Sequence, residues 1–345
     1  MTYEKKNKIP VTVLTGFLGA GKTSTIRHIL KNTGGLQLAL IINEFGDLGV
    51  DGEIIKGCTF SECQDQNIVE LANGCICCTV ADDFLPAMNA LISKENPPDH
   101  IIIETSGLAL PKPLVKAFNW PEVRSRSTVD GVIALVDGPA VVAGLSECYG
   151  RSHKTAQLGI TRLDHIDPIG KLFEEQLGSA DIVVINKIDL MKKGELEKSL
   201  KLVRDIARPN ARLIQAAYGR VDTCVLLGLQ ANAEDDLKTR PSHHDKFDHH
   251  HSHEDVESFV IKLNTFPSTE AIERGVGQLA ENPGILRIKG FAAIKNKPLR
   301  CVIQGVGANL SVYYDRAWKS DENRRTELVV IGLHGLDRTI IPVSY

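Results

Sequence analysis

The chain has 345 residues, of which 43% are hydrophobic and 24% charged, and its net charge is −3. That is an ordinary balance for a folded globular protein, and it excludes a strongly basic surface, so neither nucleic acid nor an anionic membrane is expected as a partner. No apolar h-region follows the charged start MTYEKKNKIP, and runs such as LALII at 38–42 are far too short to span a bilayer. A cytoplasmic location is therefore expected, where eight cysteines point to metal or thiol chemistry rather than to disulfides.

In chain order, VTVLT (11–15), LALII (38–42), HIIIE (100–104), GVIALVD (131–137), DIVVIN (181–186) and RLIQA (212–216) read as strands. They are dense in Val, Ile and Leu, as parallel strands covered on both faces are. KTSTIRHILKN and ELEKSLKLVRDIA between them carry helical spacing. The order predicts an α/β fold, a doubly wound, mostly parallel sheet, over residues 1–230. ANAEDDLKTRPSHHDKFDHHHSHED (231–255) has almost no apolar residues and reads as a solvated, His-rich linker. ESFVIKL, ILRIKGFAAI, PLRCVIQGVG, LSVYY and ELVVIGL, with one helix at STEAIERGVGQLA, predict a smaller α+β domain over 256–345.

The first strand runs into GFLGAGKT, which matches the phosphate-binding pattern G-x-x-x-x-G-K-[ST] and opens a helix. Gly16, Gly19, Ala20, Gly21 and Ser24 would wrap the phosphates with backbone N–H groups. Lys22 would reach the β and γ phosphates, and Thr23 would ligate Mg²⁺. IIIETSG (101–107) ends a strand in a second candidate Mg²⁺ ligand, Glu104, with Gly107 placed to meet the γ phosphate. Lys22 and Glu104 are thus the candidate catalytic residues. NKID (186–189) ends another strand. A carboxylate at Asp189 can accept from N1–H and the 2-amino group of guanine, donors that adenine lacks; Asn186 and Lys187 would support that loop and the base edge. A GTPase follows, in preference to a P-loop kinase or ATPase. No glutamine follows ETSG to orient water, so slow intrinsic hydrolysis is expected.

ELANGCICCTVADDF (70–84) holds Cys75, Cys77 and Cys78. Their polar neighbours suit a core badly, and C-x-C-C is not the C-x-x-C of a helix-end redox pair. Thiolates in this density suit a soft or borderline ion. In extended chain Cys75 and Cys77 share a face while Cys78 points away, so two thiolates plus an outside ligand stand beside a three-thiolate site. Glu44, in NEFGDLGVDGE, is the candidate outside ligand, or else a solvated loop carboxylate. Cys58 and Cys63 read as structural. His243, His244, His249, His250, His251 and His253 could capture borderline ions weakly, or form only a polar spacer.

GFLGAGKT, NEFG, GCICC, ETSGLA and NKID together resemble the CobW family of metal-handling P-loop GTPases, and the resemblance runs through nearly the whole chain. It implies a GTP-dependent metallochaperone that binds Co²⁺ at Cys75, Cys77 and Cys78, releases it on hydrolysis, and delivers it to a cobaltochelatase for cobalamin biosynthesis. It also implies a homo-oligomer in some branches. Zinc-handling members share C-x-C-C, and Zn²⁺ generally binds such a site more tightly than Co²⁺, so a zinc metallochaperone is the alternative, beside a metal sensor that delivers nothing. The carboxy-terminal domain shows no catalytic constellation and is expected to dock the metal-acceptor protein.

Overall fold

The computed structural model describes residues 8–43, 68–71, 84–145, 168–240, 256–280, 282, 285–306, 309–320 and 322–333. The first unit is a parallel sheet of β1 (Ile9–Gly16), β2 (Leu38–Asn43), β3 (Ile68–Leu71), β4 (His100–Glu104), β5 (Ser127–Asp137), β6 (Ile182–Asn186) and β7 (Arg212–Gln215). The strand order is β3-β2-β4-β1-β5-β6-β7. Its main helices are α1 (Lys22–Lys31), α2 (Leu85–Ile92), α3 (Pro111–Ala117), α4 (Pro168–Gly178) and α5 (Lys193–Ile206).

Every residue of β2, β4 and β6 is buried, which explains their apolar interiors: both faces are covered, so polar residues stand only at the strand ends, at Asn43, His100, Glu104 and Asn186. On one face Val11, Val13, Ile101 and Ile103 pack against Phe84, Met88, Leu114 and Phe118. The two phenylalanine rings sit 5.4 Å apart and tilted by 53°, a favoured aromatic geometry. α1 buries Ile26, Ile29 and Leu30, the i, i+3, i+4 stripe of an amphipathic helix.

The edges depart from the sequence reading. β7 lies outermost and its residues are exposed or half-buried, so it is not covered on both faces. β3, at the other edge, has only four residues; IVEL is too short to separate from its neighbours by periodicity alone.

The linker reading needs a correction. Residues 231–240 are not a solvated spacer but pack onto the sheet. Ala233 is fully buried, Glu234 is 4% exposed and Arg240 1%. Glu234 accepts from the Val129 N–H at 2.9 Å and from the Thr128 hydroxyl at 2.5 Å. Arg240 donates to the Ser179 carbonyl and, at 2.8 Å, to Asp181, which also accepts from Arg208 at 3.0 Å and from the Val132 N–H at 2.9 Å. Polar residues are buried here because they pair with charges and backbone groups, a reason composition does not reveal. Residues 231–240 therefore pack with the first unit, beyond the expected boundary at residue 230.

The second unit is an antiparallel sheet of β8 (Val256–Leu263), β9 (Ile285–Ala292), β10 (Leu299–Val306), β11 (Asn309–Ala317) and β12 (Thr326–Leu333), in the order β11-β10-β9-β12-β8. The helix α6 (Thr269–Ala280) packs Ile272, Val276 and Leu279 onto Ile288, Ile303, Leu328 and Val330, giving the expected α+β layering. Arg300, 1% exposed, lies 3.7 Å over the Phe291 ring and pairs with Asp315 at 2.5 Å and Glu322 at 3.2 Å. Arg316, hydrogen-bonded to Glu322, holds that carboxyl down to about 2. Among the described residues no helix is long and apolar enough to cross a membrane.

Two outcomes are expected. Arg240→Met leaves the Ser179 carbonyl without its donor and Asp181 with one cation fewer, so thermal or urea unfolding should show a loss of about 3 kcal/mol. His100, 3% exposed, has its Nε2 2.8 Å from the Thr12 hydroxyl; burial lowers its pKa, opposed by the Asp130 charge. The unfolded imidazole binds a proton near pH 6.5 and the folded one only at lower pH. Stability should therefore fall as pH drops below about 6.5, and urea titrations at successive pH values should show a flatter slope there for His100→Gln.

Candidate functional site

The strand order creates the site. After β1 the chain crosses over β4 to β2, whereas after β4 it crosses over β1 to β5. The loops at the carboxyl ends of β1 and β4 thus part in opposite directions, and the crevice between them is where open parallel sheets bind ligands. Register brings the two sequence motifs together: Leu14 pairs with Glu104, and the Thr105 N–H donates to the Leu14 carbonyl at 2.9 Å.

Gly16 to Thr23 joins β1 to α1. Gly21 holds φ at 101°, and a Cβ there would lie 2.3 Å from the Asn186 Nδ2, so both backbone and space demand glycine. The first turn of α1 has no acidic residue, which leaves its positive end to an incoming anion. Thr23 is half-buried and Ser24 exposed in that turn. Lys22, 5% exposed, donates from Nζ to the carbonyls of Gly16 at 2.8 Å and Phe17 at 3.3 Å. The ammonium is thereby curled over its own loop, where phosphate oxygens would meet it.

Glu104 ends β4 and is 4% exposed. A hydroxyl at Thr23 and a carboxylate at Glu104 are hard oxygen donors, the chemistry Mg²⁺ takes, so these residues fit that ion as part of a nucleotide complex. Gly107 lies against the phosphate loop: a Cβ there would come 2.4 Å from Leu18 Cδ2 and 2.9 Å from the Leu18 nitrogen. Only glycine allows this approach.

NKID closes the site from the β6 side. Asn186, 1% exposed, donates from Nδ2 to the Ala20 carbonyl at 2.9 Å and accepts on Oδ1 from the Gly219 N–H at 2.9 Å. Its amide thus ties the phosphate loop to the turn after β7. Lys187 adopts a left-handed backbone with φ 62° and pairs with Asp137 at 2.5 Å; it braces the loop. Asp189 is exposed in the turn Ile188–Leu190, open to a guanine.

Three contributors escaped the sequence reading. Asp137 ends β5, accepts from Lys187 and caps the following turn through the Ala140 N–H at 3.1 Å; its signal was a carboxylate at the end of a buried parallel strand. Gly219 and its neighbour Tyr218, 66% exposed with the Arg220 guanidinium 5.6 Å from its ring centre, form the turn that Asn186 holds. Gln176 on α4 donates to the carbonyls of Gly107 and Ala109 at 3.2 Å each. Neither of the last two lies near a motif in sequence.

Cys75, Cys77, Cys78, Glu44, Cys58, Cys63 and His243, His244, His249, His250, His251 and His253 lie outside the described residues. Among the described residues no group of three His, Cys, Asp or Glu is placed to hold a metal. The roots of two of those segments are placed, however. Asn43 pairs with Leu71, and Ile42 with Glu104. The chain therefore leaves Asn43 toward Glu44, and Leu71 toward Cys75, from the carboxyl edge that carries the phosphate loop.

The family model for the CobW/HypB/UreG nucleotide-binding domain matches residues 10–215, and that for the cobalamin synthesis protein cobW C-terminal domain matches residues 256–342. The chain is 49% identical to a zinc chaperone CobW of Sinorhizobium sp, covering 99% of this chain and 98% of that protein. It is 46% identical to a zinc chaperone CobW of Pseudomonas aeruginosa, covering 94% and 88%. To the zinc chaperone YjiA of Escherichia coli K12 it is 32% identical, covering 95% of each.

The two carboxyl-edge residues of NKID should separate on mutation. Asn186→Ala unties two loops and strands a carbonyl and an N–H, so calorimetry should show GDP binding weakened roughly a hundredfold. Asp189→Ala leaves those ties intact, and its expected effect is loss of the preference for GDP over ADP.

Proposed function

This chain belongs to the CobW/HypB/UreG family of P-loop GTPases, and from that premise we propose that it is a zinc metallochaperone whose grip on its cargo is gated by GTP. The observation that carries the proposal is the pairing of Asn43 with Leu71 beside Glu104. Cys75 follows Leu71 by four residues, which limits it to about 14 Å from that anchor. A change at the γ phosphate thus acts on the strand ends from which both the Cys75, Cys77, Cys78 segment and Glu44 depart.

In this mechanism the amides of Gly16–Ser24 and the Lys22 ammonium cradle the triphosphate, Asn186 locks that cradle to the base loop, and Asp189 selects guanine. When bound, Mg²⁺ neutralises charge on the β and γ oxygens, with Thr23 and Glu104 as the residues that would hold it. Gly107 offers its N–H to the γ phosphate, and this contact disappears on hydrolysis. The cysteines grip the ion as thiolates while GTP is bound and pass it to an acceptor protein once the contact is gone. Coupling is reciprocal: zinc must tighten GTP binding by the factor by which GTP tightens zinc binding.

Zinc replaces cobalt as the preferred cargo for two reasons. Relatives at 49% and 46% identity carry the name zinc chaperone, and thiolate ligands favour Zn²⁺ over Co²⁺ in the usual order of affinities. A zinc-requiring protein, rather than a cobaltochelatase, is then the acceptor, and the histidines at 243–253 serve as a weak capture arm.

The test is Zn²⁺ and Co²⁺ affinity by chelator competition, with Mg²⁺-GDP or with Mg²⁺ and a non-hydrolysable GTP analogue. Zinc should bind roughly tenfold or more tightly with the analogue, more tightly than cobalt, and the gain should vanish in a Cys75/Cys77/Cys78→Ser variant. Equal zinc affinity in both nucleotide states would sink the gate.

A further inference from the structure

The turn after β4 is held from two sides. On the strand side, Thr105 donates its N–H to the Leu14 carbonyl at 2.9 Å and its hydroxyl to the Thr15 hydroxyl at 3.1 Å. Within the turn, the Ala109 N–H reaches the Ser106 carbonyl at 3.0 Å. From the other side comes Gln176, 1% exposed on α4, whose Nε2 lies 3.2 Å from the carbonyls of both Gly107 and Ala109. One amide nitrogen has two protons, and each is directed to one carbonyl. The opposite orientation of the amide would set its oxygen against two carbonyl oxygens, so the donor assignment is dictated by the partners. The Gln176 Oε1 is buried and has no hydrogen-bond partner among the described residues.

A buried acceptor left without a partner is unfavourable, and packing alone would be served as well by an apolar side chain of the same volume. What a glutamine adds is a pair of donors that aim the carbonyls of the Gly107–Leu108 and Ala109–Leu110 peptides. Gly107 has no side chain to steady it and lies against the Leu18 backbone. Its torsions are therefore bounded by Thr105 before it and Gln176 after it.

We propose that Gln176 is the positioning residue for the γ phosphate: by fixing the Gly107 carbonyl, on the Gly107–Leu108 peptide, it limits the torsions of Gly107, aims the N–H of the preceding Ser106–Gly107 peptide at a nucleoside triphosphate, and thereby sets the preference for GTP over GDP. GDP has no oxygen at that position, so GDP binding does not use the clamp. The inference rests on the GTPase reading and extends it to a residue on a helix remote from every motif.

The experiment uses the full-length protein, Gln176→Met and Gln176→Glu, with binding of Mg²⁺-GDP and of Mg²⁺ with a non-hydrolysable GTP analogue, and kcat and KM for GTP. Gln176→Met keeps the volume and removes both donors. Analogue binding should weaken about tenfold and kcat fall by a similar factor, with GDP affinity changed less than about twofold. Gln176→Glu should lose as much at neutral pH and recover part of the analogue affinity toward acid, as the introduced carboxyl gains one proton to donate; a purely structural role would show no such recovery. If Gln176→Met does not fold, the Glu variant, which keeps the side-chain shape, carries the comparison. Equal weakening of GDP and analogue, or no change in either, overturns the inference while a discriminating wild type leaves the GTPase reading intact. A wild type that binds GDP and the analogue alike and does not hydrolyse GTP overturns both.

Discussion

Backbone pairing of β1 between β4 and β5 is the constraint on which the nucleotide edge depends. The register sets Leu14 against Glu104 on one side and against Ile133 on the other, so the phosphate loop can leave only at the height where Glu104 ends its strand. With Val11, Val13 and Leu14 all fully buried, a slip along either neighbour would carry apolar side chains out of a core packed at crystal-like density. Precision at the site is therefore inherited from a core that has no catalytic residue in it.

Side-chain ties then convert strand ends into one rigid rim. Asn186 joins the loop after β1 to the turn after β7, and Lys187 joins β6 to Asp137 at the end of β5. Gln176 reaches from α4 to the turn after β4. Each tie uses an amide or an ion pair that is largely shielded from water, where such bonds are directional and their loss is strongly destabilising. The edge toward β2 and β3 is held by backbone pairing, and from there the segments bearing Glu44 and the cysteines depart.

At the other end of the strands, polar residues hold the sheet's connections in place. Asp181 begins beside β6, the strand whose far end carries NKID, and it is gripped by Arg208 and Arg240 while accepting from the Val132 N–H. Asp130 accepts from the N–H groups of Gly228 and Gln230 at 2.7 and 2.8 Å. The chain is thus fastened to the sheet as far as Arg240.

The sequence by itself determined the class of fold, the phosphate loop, the ETSG and NKID elements and the layering of the carboxy-terminal domain. These are carried by local chemistry: glycine where backbone must approach phosphate, apolar runs where strands are covered twice, a carboxylate where guanine offers two donors. The tertiary structure alone decided that Asn186 ties the phosphate loop to the turn after β7, that Asp137, Gly219 and Gln176 belong to the site, and that residues 231–240 are packed rather than solvated. Each of those depends on a partner distant in sequence, as with Gln176 and Gly107 or Arg240 and Asp181. Strand order and register bring such partners together, and no local pattern of residue types encodes which polar group will meet which.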